Sequence, residues 1–414
     1  VSFTIDAQEL EARVSQLGAA GRTEHDGLFR PVYSAGWFEA RDILSEWMND
    51  AGLETRIDAV GNLIGTLKGA DSSAPVVLTG SHFDTVRNAG MFDGALGVVA
   101  AISAVKALIR DQNQRPEHSI EVVAFCEEEG SRFPLSMLGS RSMFGKLARE
   151  DAAGLRDEDG ELLTDVWNRH GMSLDGVLAN TRDDVGMFIE LHVEQGGTLE
   201  DLGIPVGVVS SIVGQVTASV TISGEQNHAG TTTMLKRKDA LAAAAEVMVR
   251  LEQLALRDPL AVVTVGTLEC TGSANVIPGH VRLTCDVRHP QSSALRALWT
   301  EIQQEIASVA VTRGVHHAFA EEFIDNATDM DESVVTLIQG LATDLGIPTA
   351  TLHSGAGHDS QITAREVPTG MIFTPSRGGI SHSPEEWTDI EDIVPATTLL
   401  TEVLWTAANP RRVR

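Results

Sequence analysis

Hydrophobic spacing changes period several times along the chain. In residues 6–18, Leu10, Val14 and Leu17 recur at helical spacing, and residues 37–51 repeat the pattern up to a closing Gly52. Short apolar runs at 53–57, 63–67 and 76–79 predict strands. Residues 94–109 are small and apolar, which predicts a helix laid against a sheet, and 121–125 reads as a further buried strand. Strand, helix and strand in this order predict a layered α/β domain.

A second pattern begins near Ser211. Residues 216–222 alternate, 239–256 form a long alanine-rich helical stretch, 261–268 and 280–287 read as strands, and 294–313 is helical again. This order resembles a small two-layer α+β domain. From 328 onward the chain returns to the first domain, with ordered segments expected at 334–345, 347–352 and 370–373 and a last helix near 395–407. The expected organisation is therefore a discontinuous domain of mixed sheet and flanking helices, 1–211 with 328–414, and an insertion at 212–327. No repeat, low-complexity tract or nucleotide-binding GxGxxG motif stands out.

Composition narrows the function. The chain has 414 residues, 43% of them hydrophobic and 21% charged, with a formal net charge of -27. Such an excess of acid argues against a nucleic-acid or anionic-membrane partner and leaves room for a local basic pocket. Cys126, Cys270 and Cys285 are far apart and form neither a CxxC pair nor a disulfide framework. The first residues carry acids where a secretion signal has bases, and no apolar stretch spans a bilayer, so cytoplasm is the default expectation.

Five stretches carry chemistry. After the apolar run at 75–78, TGSHFDTVRNAGMFDG presents His82, Asp84 and Asp93 among glycines. Loops at the carboxyl ends of strands are where open α/β sheets do chemistry, and His with Asp suits Zn²⁺ or Mn²⁺. An Asx cap at Asp93 and a structural bond from His82 would explain the stretch equally well. The strand at 122–125 runs into Glu127, Glu128 and Glu129, whose crowded charges need a cation or a raised pKa. One of these acids suits a metal while its neighbour accepts a proton from water; a solvated acidic turn is the plain alternative. In FIELHVEQG, alternation sets Glu190, His192 and Glu194 opposite Ile189, Leu191 and Val193, with Gln195 next in line as a donor to substrate. LHSGAGHDS and SRGGISHS add His358, Asp359 and His382 on glycine-rich loops. Each cluster alone has a structural explanation; five after β-like runs favour a metal hydrolase.

In order along the chain, GSHFDTV with FDG, EEEGSRF, HVEQG, NHAGTT, SGAGHD and GISHSPEEW resemble the hydantoinase/carbamoylase branch of the dinuclear metallopeptidase-like amidohydrolases. The resemblance implies two divalent metal ions per subunit, Mn or Zn, with Co or Ni possible, bridged by Asp93. One ion would take His82 and His192, the other Glu128 and His382. Glu127 would be the general base and Asp84 would orient His82. The resemblance further implies a homodimer formed through the inserted domain, with His228 donating to the oxyanion across subunits. Asn275, Arg288 and backbone amides around Gly355 and Gly357 would hold the carboxylate of a small anionic ureido substrate, with Gln195 at the ureido group.

The substrate expected from the likeness of IVGQ, GEQNHAGTT, HSGAGHDSQI and VPTGMIFTPS is allantoate, cleaved to ureidoglycine, ammonia and carbon dioxide. The alternative is an N-carbamoyl-L-amino acid, towards which SHSPEEW leans. A dinuclear dipeptidase or aminopeptidase is a more distant reading, and a binding module without a base is disfavoured by the full ligand set. Thr233, where the branch commonly has proline, and Ser360, where it has alanine, depart from the pattern without touching a proposed ligand.

Overall fold

The computed structural model describes residues 3–24, 27–112 and 114–410. The chain divides into two compact units: Ser211–Thr328 with His353–Gly355 form one, and the remainder forms the other.

The larger unit starts with helices α1 (Ala7–Leu17) and α2 (Ala35–Asp50), N-capped by the side chains of Asp6 and Ser34. Then come β1 (Glu54–Ile57), β2 (Leu63–Leu67), β3 (Val76–His82), α3 (Ala95–Asp111), β4 (Ile120–Phe125), β5 (Val185–Val193) and β6 (Val206–Ile212). Among the described residues the main sheet has nine strands. Its centre, β4-β3-β5, is parallel. Alternation along the strands covers both faces. Val77, Ile120, Val122, Ala124, Ile189, Leu191 and Val193 join the core beneath α3. Ile64, Leu78, Val123, Phe125 and Phe188 form a second cluster with Met137, Met143, Phe144 and Ile362. Burial on both faces explains why these strands read as continuous apolar runs. Several short helices between 138 and 178 had no clear periodic signal.

The smaller unit contains β7 (Gly214–Ser223), β8 (Asn227–His228), β9 (Val262–Thr264), β10 (Leu268–Cys270), β11 (Val276–Ile277), β12 (His280–His289) and β13 (His316–Asp325). A sheet ordered β10-β12-β7-β13, with β9 also on β12, packs against helices Ala240–Ala255 and Ser292–Arg313. Its core takes every second residue of β7 and β12: Val216, Ala218, Val220 and Ile222, then Val281, Leu283, Cys285 and Val287. The run expected at 261–268 is in fact two short strands. β13 escaped the sequence reading because its HHAFAEEFID pattern mixes charge into the alternation.

The chain then adds β14 (Thr328–Asp329), β15 (Thr349–Ser354) and β16 (Thr369–Thr374) to the main sheet. β16 runs parallel to β5. The last helix spans Ile390–Ala407, so Pro395 lies inside it rather than at its start. Among the described residues no helix is long and apolar enough to cross a membrane.

Candidate metal centre

Parallel pairing brings the carboxyl ends of β4, β3, β5 and β16 to one edge. His82 pairs with Phe125, and His192 with Phe373, at the ends of their strands. His82 therefore closes β3, the three glutamates follow β4, His192 and Gln195 bracket the end of β5, and His382 lies on the loop after β16. Asp93 sits on the turn into α3. Gly94, with φ 60°, makes that turn possible; a Cβ there would lie 2.3 Å from the His82 ring.

Asp93 is shared by two donor groups. Its Oδ1 lies 3.2 Å from His192 Nε2 and 3.7 Å from His82 Nε2. Its Oδ2 lies 3.1 Å from His382 Nε2, which is 3.7 Å from Glu129 Oε1. In each set, His82–Asp93–His192 and Asp93–Glu129–His382, one donor atom per residue falls within 4.8 Å of the others. Glu128 Oε2 stands beside both, 3.9 Å from His82 Nε2. The imidazoles are held in register by their other nitrogen: His82 Nδ1 is 3.1 Å from the Asp84 carbonyl and His192 Nδ1 is 2.8 Å from the Val193 carbonyl. Donation through Nδ1 leaves Nε2 of each ring facing Asp93. The Asp84 carboxylate, with Oδ1 3.7 Å from His82 Nδ1, also accepts the Glu128 amide at 3.0 Å and the Glu129 amide at 3.1 Å.

Glu127, the residue expected as general base, is held by backbone amides. Its carboxylate accepts the Phe133 amide at 2.9 Å, the Arg132 amide at 3.0 Å and the Val32 amide at 3.4 Å. The residue is fully buried. The chain leaves β4 and turns left-handed at Glu127 (φ 50°), so strand alternation stops there. Of the next two acids, Glu128 joins His82 and Glu129 in a third group whose donor atoms lie within 4.8 Å of one another, and Glu129 Oε1 is 3.7 Å from His382. Glu127→Ala is expected to lower stability by about 1–3 kcal/mol, the cost of stranding buried donors. Glu127→Gln, which keeps an acceptor oxygen, should hold the fold. Thermal denaturation checks both; an unchanged Tm for Glu127→Ala would show that the amides are satisfied elsewhere.

Electrostatics explain what such a site needs. Burial pushes Glu127 up to about 8, helped by the charge of Asp84. Burial and neighbouring carboxylates, Glu129 for Glu128 and Asp93 for Glu129, push those two well above the usual range. Burial alone would raise Asp93 as well, but bonds with His192 and His382 hold it well below its ordinary value. Burial opposes the charged form of His192, yet Asp93 outweighs it and the ring is pushed up to about 9. Closely spaced buried carboxylates with imidazole nitrogens among them are a donor set that divalent cations fit, because the ions compensate the negative charge.

Residues 78–406 match Peptidase family M20/M25/M40. The chain belongs to this family. The N-carbamoyl-L-amino-acid amidohydrolase of Pseudomonas sp. (strain NS671) is 39% identical over 408 residues, 97% of this chain and 98% of the relative. The allantoate amidohydrolase of Bacillus subtilis (strain 168) is 38% identical over 400 residues, 95% and 96% of the two chains. The crystal structure of an amidase of the hydantoinase/carbamoylase family from Burkholderia multivorans superposes with a TM-score of 0.91 at 30% identity, covering 98% of each chain. This M20 protein lies in the hydantoinase/carbamoylase branch and is a metal-dependent amidohydrolase acting on a non-peptide C–N bond.

Other expected residues of the M20 amidohydrolase are placed as follows. Gln195, in the left-handed region (φ 59°), donates from Nε2 to Asp93 Oδ2 at 2.9 Å. Its Oε1 is buried without a protein partner. Ser360 donates its hydroxyl at 2.6 Å and its amide at 3.1 Å to Glu190, beside His192 on β5. The Ser81 hydroxyl completes that carboxylate's partners at 2.7 Å. Glu190 and His192 are both buried, so the polar face of β5 is not a solvated one. His358 is buried with its ring centroid 4.4 Å from that of His192. Gly357 faces Met137.

In the smaller unit, exposed His228 accepts the Gly230 amide at Nδ1, 3.0 Å, which leaves Nε2–H outward. Asn275 accepts from the Ser273 hydroxyl at 2.9 Å. Arg288 is gripped by Asp286, with Nε 2.8 Å from one oxygen and a terminal nitrogen 3.2 Å from the other, while the second terminal nitrogen donates to the Gly355 carbonyl at 2.7 Å. Each terminal nitrogen keeps a further N–H.

Sequence reasoning missed the placement of Glu129 and the part played by Glu386. Both stood in motifs already singled out, EEEGSRF and SHSPEEW, but a run of acids does not say which member turns inward.

Proposed function

We propose that this amidohydrolase cleaves the carbamoyl C–N bond of N-carbamoyl-L-amino acids, releasing the amino acid, ammonia and carbon dioxide. The observation carrying the reaction is the pair of donor sets sharing Asp93 beside a third carboxylate, Glu128. Hydrolysis of a ureido or carbamoyl C–N bond by such a site follows from the branch. For the substrate, the whole-chain likeness to a carbamoylase, 39%, is slightly above that to an allantoate hydrolase, 38%, which reverses the preference read from short motifs. Allantoate is the second candidate, supported by those motifs.

His82, Asp93 and His192 would hold one ion, and Asp93, Glu128 and His382 the other, with Glu129 beside them. When bound, the ions supply Lewis-acid polarisation and a more acidic water; Mn²⁺ or Zn²⁺ suits this mixed donor set, as do Co²⁺ and Ni²⁺. Glu127 takes a proton from the attacking water and passes it to the leaving nitrogen, and the carbamate left behind breaks down to ammonia and carbon dioxide. Nε2–H of His228 donates to the oxyanion that develops on the carbamoyl oxygen. Arg288, its fork fixed by Asp286, takes the substrate carboxylate with Asn275, and Gln195 accepts a ureido N–H at Oε1. The smaller unit serves as the homodimer contact and brings His228 to the neighbouring subunit.

The test is a side-by-side initial-rate comparison with manganese-loaded protein, following ammonia and the organic product. The expected result is a higher kcat/KM for N-carbamoyl-L-methionine or N-carbamoyl-L-alanine than for allantoate. A preference for allantoate reverses the assignment.

A further inference from the structure

Glu386 is buried four residues beyond His382, in a segment that the mechanism above does not use. Its Oε2 accepts the Phe92 amide at 3.0 Å and the Asp93 amide at 3.1 Å, across a sequence separation of 294 residues for the first. Its Oε1 accepts the Ser381 hydroxyl at 2.8 Å, and that hydroxyl stands 3.4 Å from Asp93 Oδ2. The turn carrying Glu386 is therefore seated on the turn carrying Asp93. The seat is close: a Cβ on Gly90 would lie 2.4 Å from Glu386 Cβ and 2.9 Å from the Ser383 carbonyl. Phe92 and Trp387 meet edge to face beside it, with ring centroids 5.4 Å apart.

We propose that Glu386 is a positioning residue that fixes Asp93 relative to His382, so that both oxygens of the shared carboxylate meet their donor sets at once. The inference rests on the two-ion reading of the site. Asp93 has a short side chain, and the direction of its carboxylate follows the backbone that Glu386 grips through two amides. His382 is linked to the same carboxylate through Ser381. Partners that orient metal-binding side chains commonly contribute 10–100-fold to metal affinity.

The experiment measures metal content and release from manganese-loaded wild type, Glu386→Ala, Glu386→Gln, Ser381→Ala and Trp387→Phe. Bound manganese is counted after gel filtration, and its loss to a chelator is followed without substrate. Wild type is expected to hold two ions per chain. Glu386→Ala should release them roughly 10–100-fold faster. Glu386→Gln, which keeps an oxygen for the two amides, should fall between. Trp387→Phe loosens packing of the same turn without touching either amide and should keep wild-type release. Equal release from Glu386→Ala, Trp387→Phe and wild type overturns the proposal. If Glu386→Ala does not fold, Ser381→Ala decides: faster release supports the linkage and unchanged release overturns it. Fewer than two ions on wild type overturns the two-ion reading itself, a separate result.

Discussion

Glu127→Gln is expected to slow turnover by roughly 10²–10⁴-fold with both metal ions retained, the range of a lost general base. Glu128→Gln is expected to lose metal instead. The distinction comes from three consecutive acids with three different surroundings. Glu127 is held by three backbone amides. Glu129 lies 3.7 Å from His382 and within the donor set built on Asp93. Glu128 stands with His82 and Glu129 in a third donor set. Its amide is anchored by Asp84, so the substitution should not move the turn. Rates under chemistry-limited conditions, paired with metal analysis, check the assignment. Near-normal turnover by Glu127→Gln, or loss of metal from it, would count against Glu127 as the base.

Chelation is expected to abolish turnover, and Mn²⁺, Co²⁺ or Zn²⁺ to restore part of it. Full activity after verified metal removal would sink the mechanism. A pH signature should accompany removal. In the stripped protein Glu127 is pushed up to about 8 and Glu386 to about 7, both by burial first and by neighbouring carboxylates second. The unfolded chain releases those protons near the ordinary glutamate value of about 4.3. Between the two values the folded state binds more protons than the unfolded one, so stability falls as pH rises. His192, pushed up to about 9 by Asp93 against its burial, acts in the same direction from neutral pH upward. Bound cations compensate these charges and remove the fall. The gap in Tm between loaded and stripped protein should therefore widen from about pH 5.5 to about pH 8. A gap constant with pH would show that the carboxylates do not titrate as their burial requires.

The sequence by itself determined a good deal. Apolar runs at 63–67, 76–79 and 121–125 are strands because both their faces are buried, and the alternation of 216–222 holds because one face of the smaller sheet packs on helices. The residue types of a metal site were also legible, since His82, Asp93, His192 and His382 follow strand ends and carboxyl ends of parallel strands share an edge. Tertiary structure decided what period and composition do not encode. How three adjacent glutamates are disposed depended on one left-handed residue, Glu127, and on amides from residues 32, 132 and 133 that hold its carboxylate. The grip of Glu386 on Asp93 joins positions 293 apart and exists only once β16 pairs with β5. Local sequence sets which groups are available; the satisfaction of buried donors by distant segments sets how they are disposed.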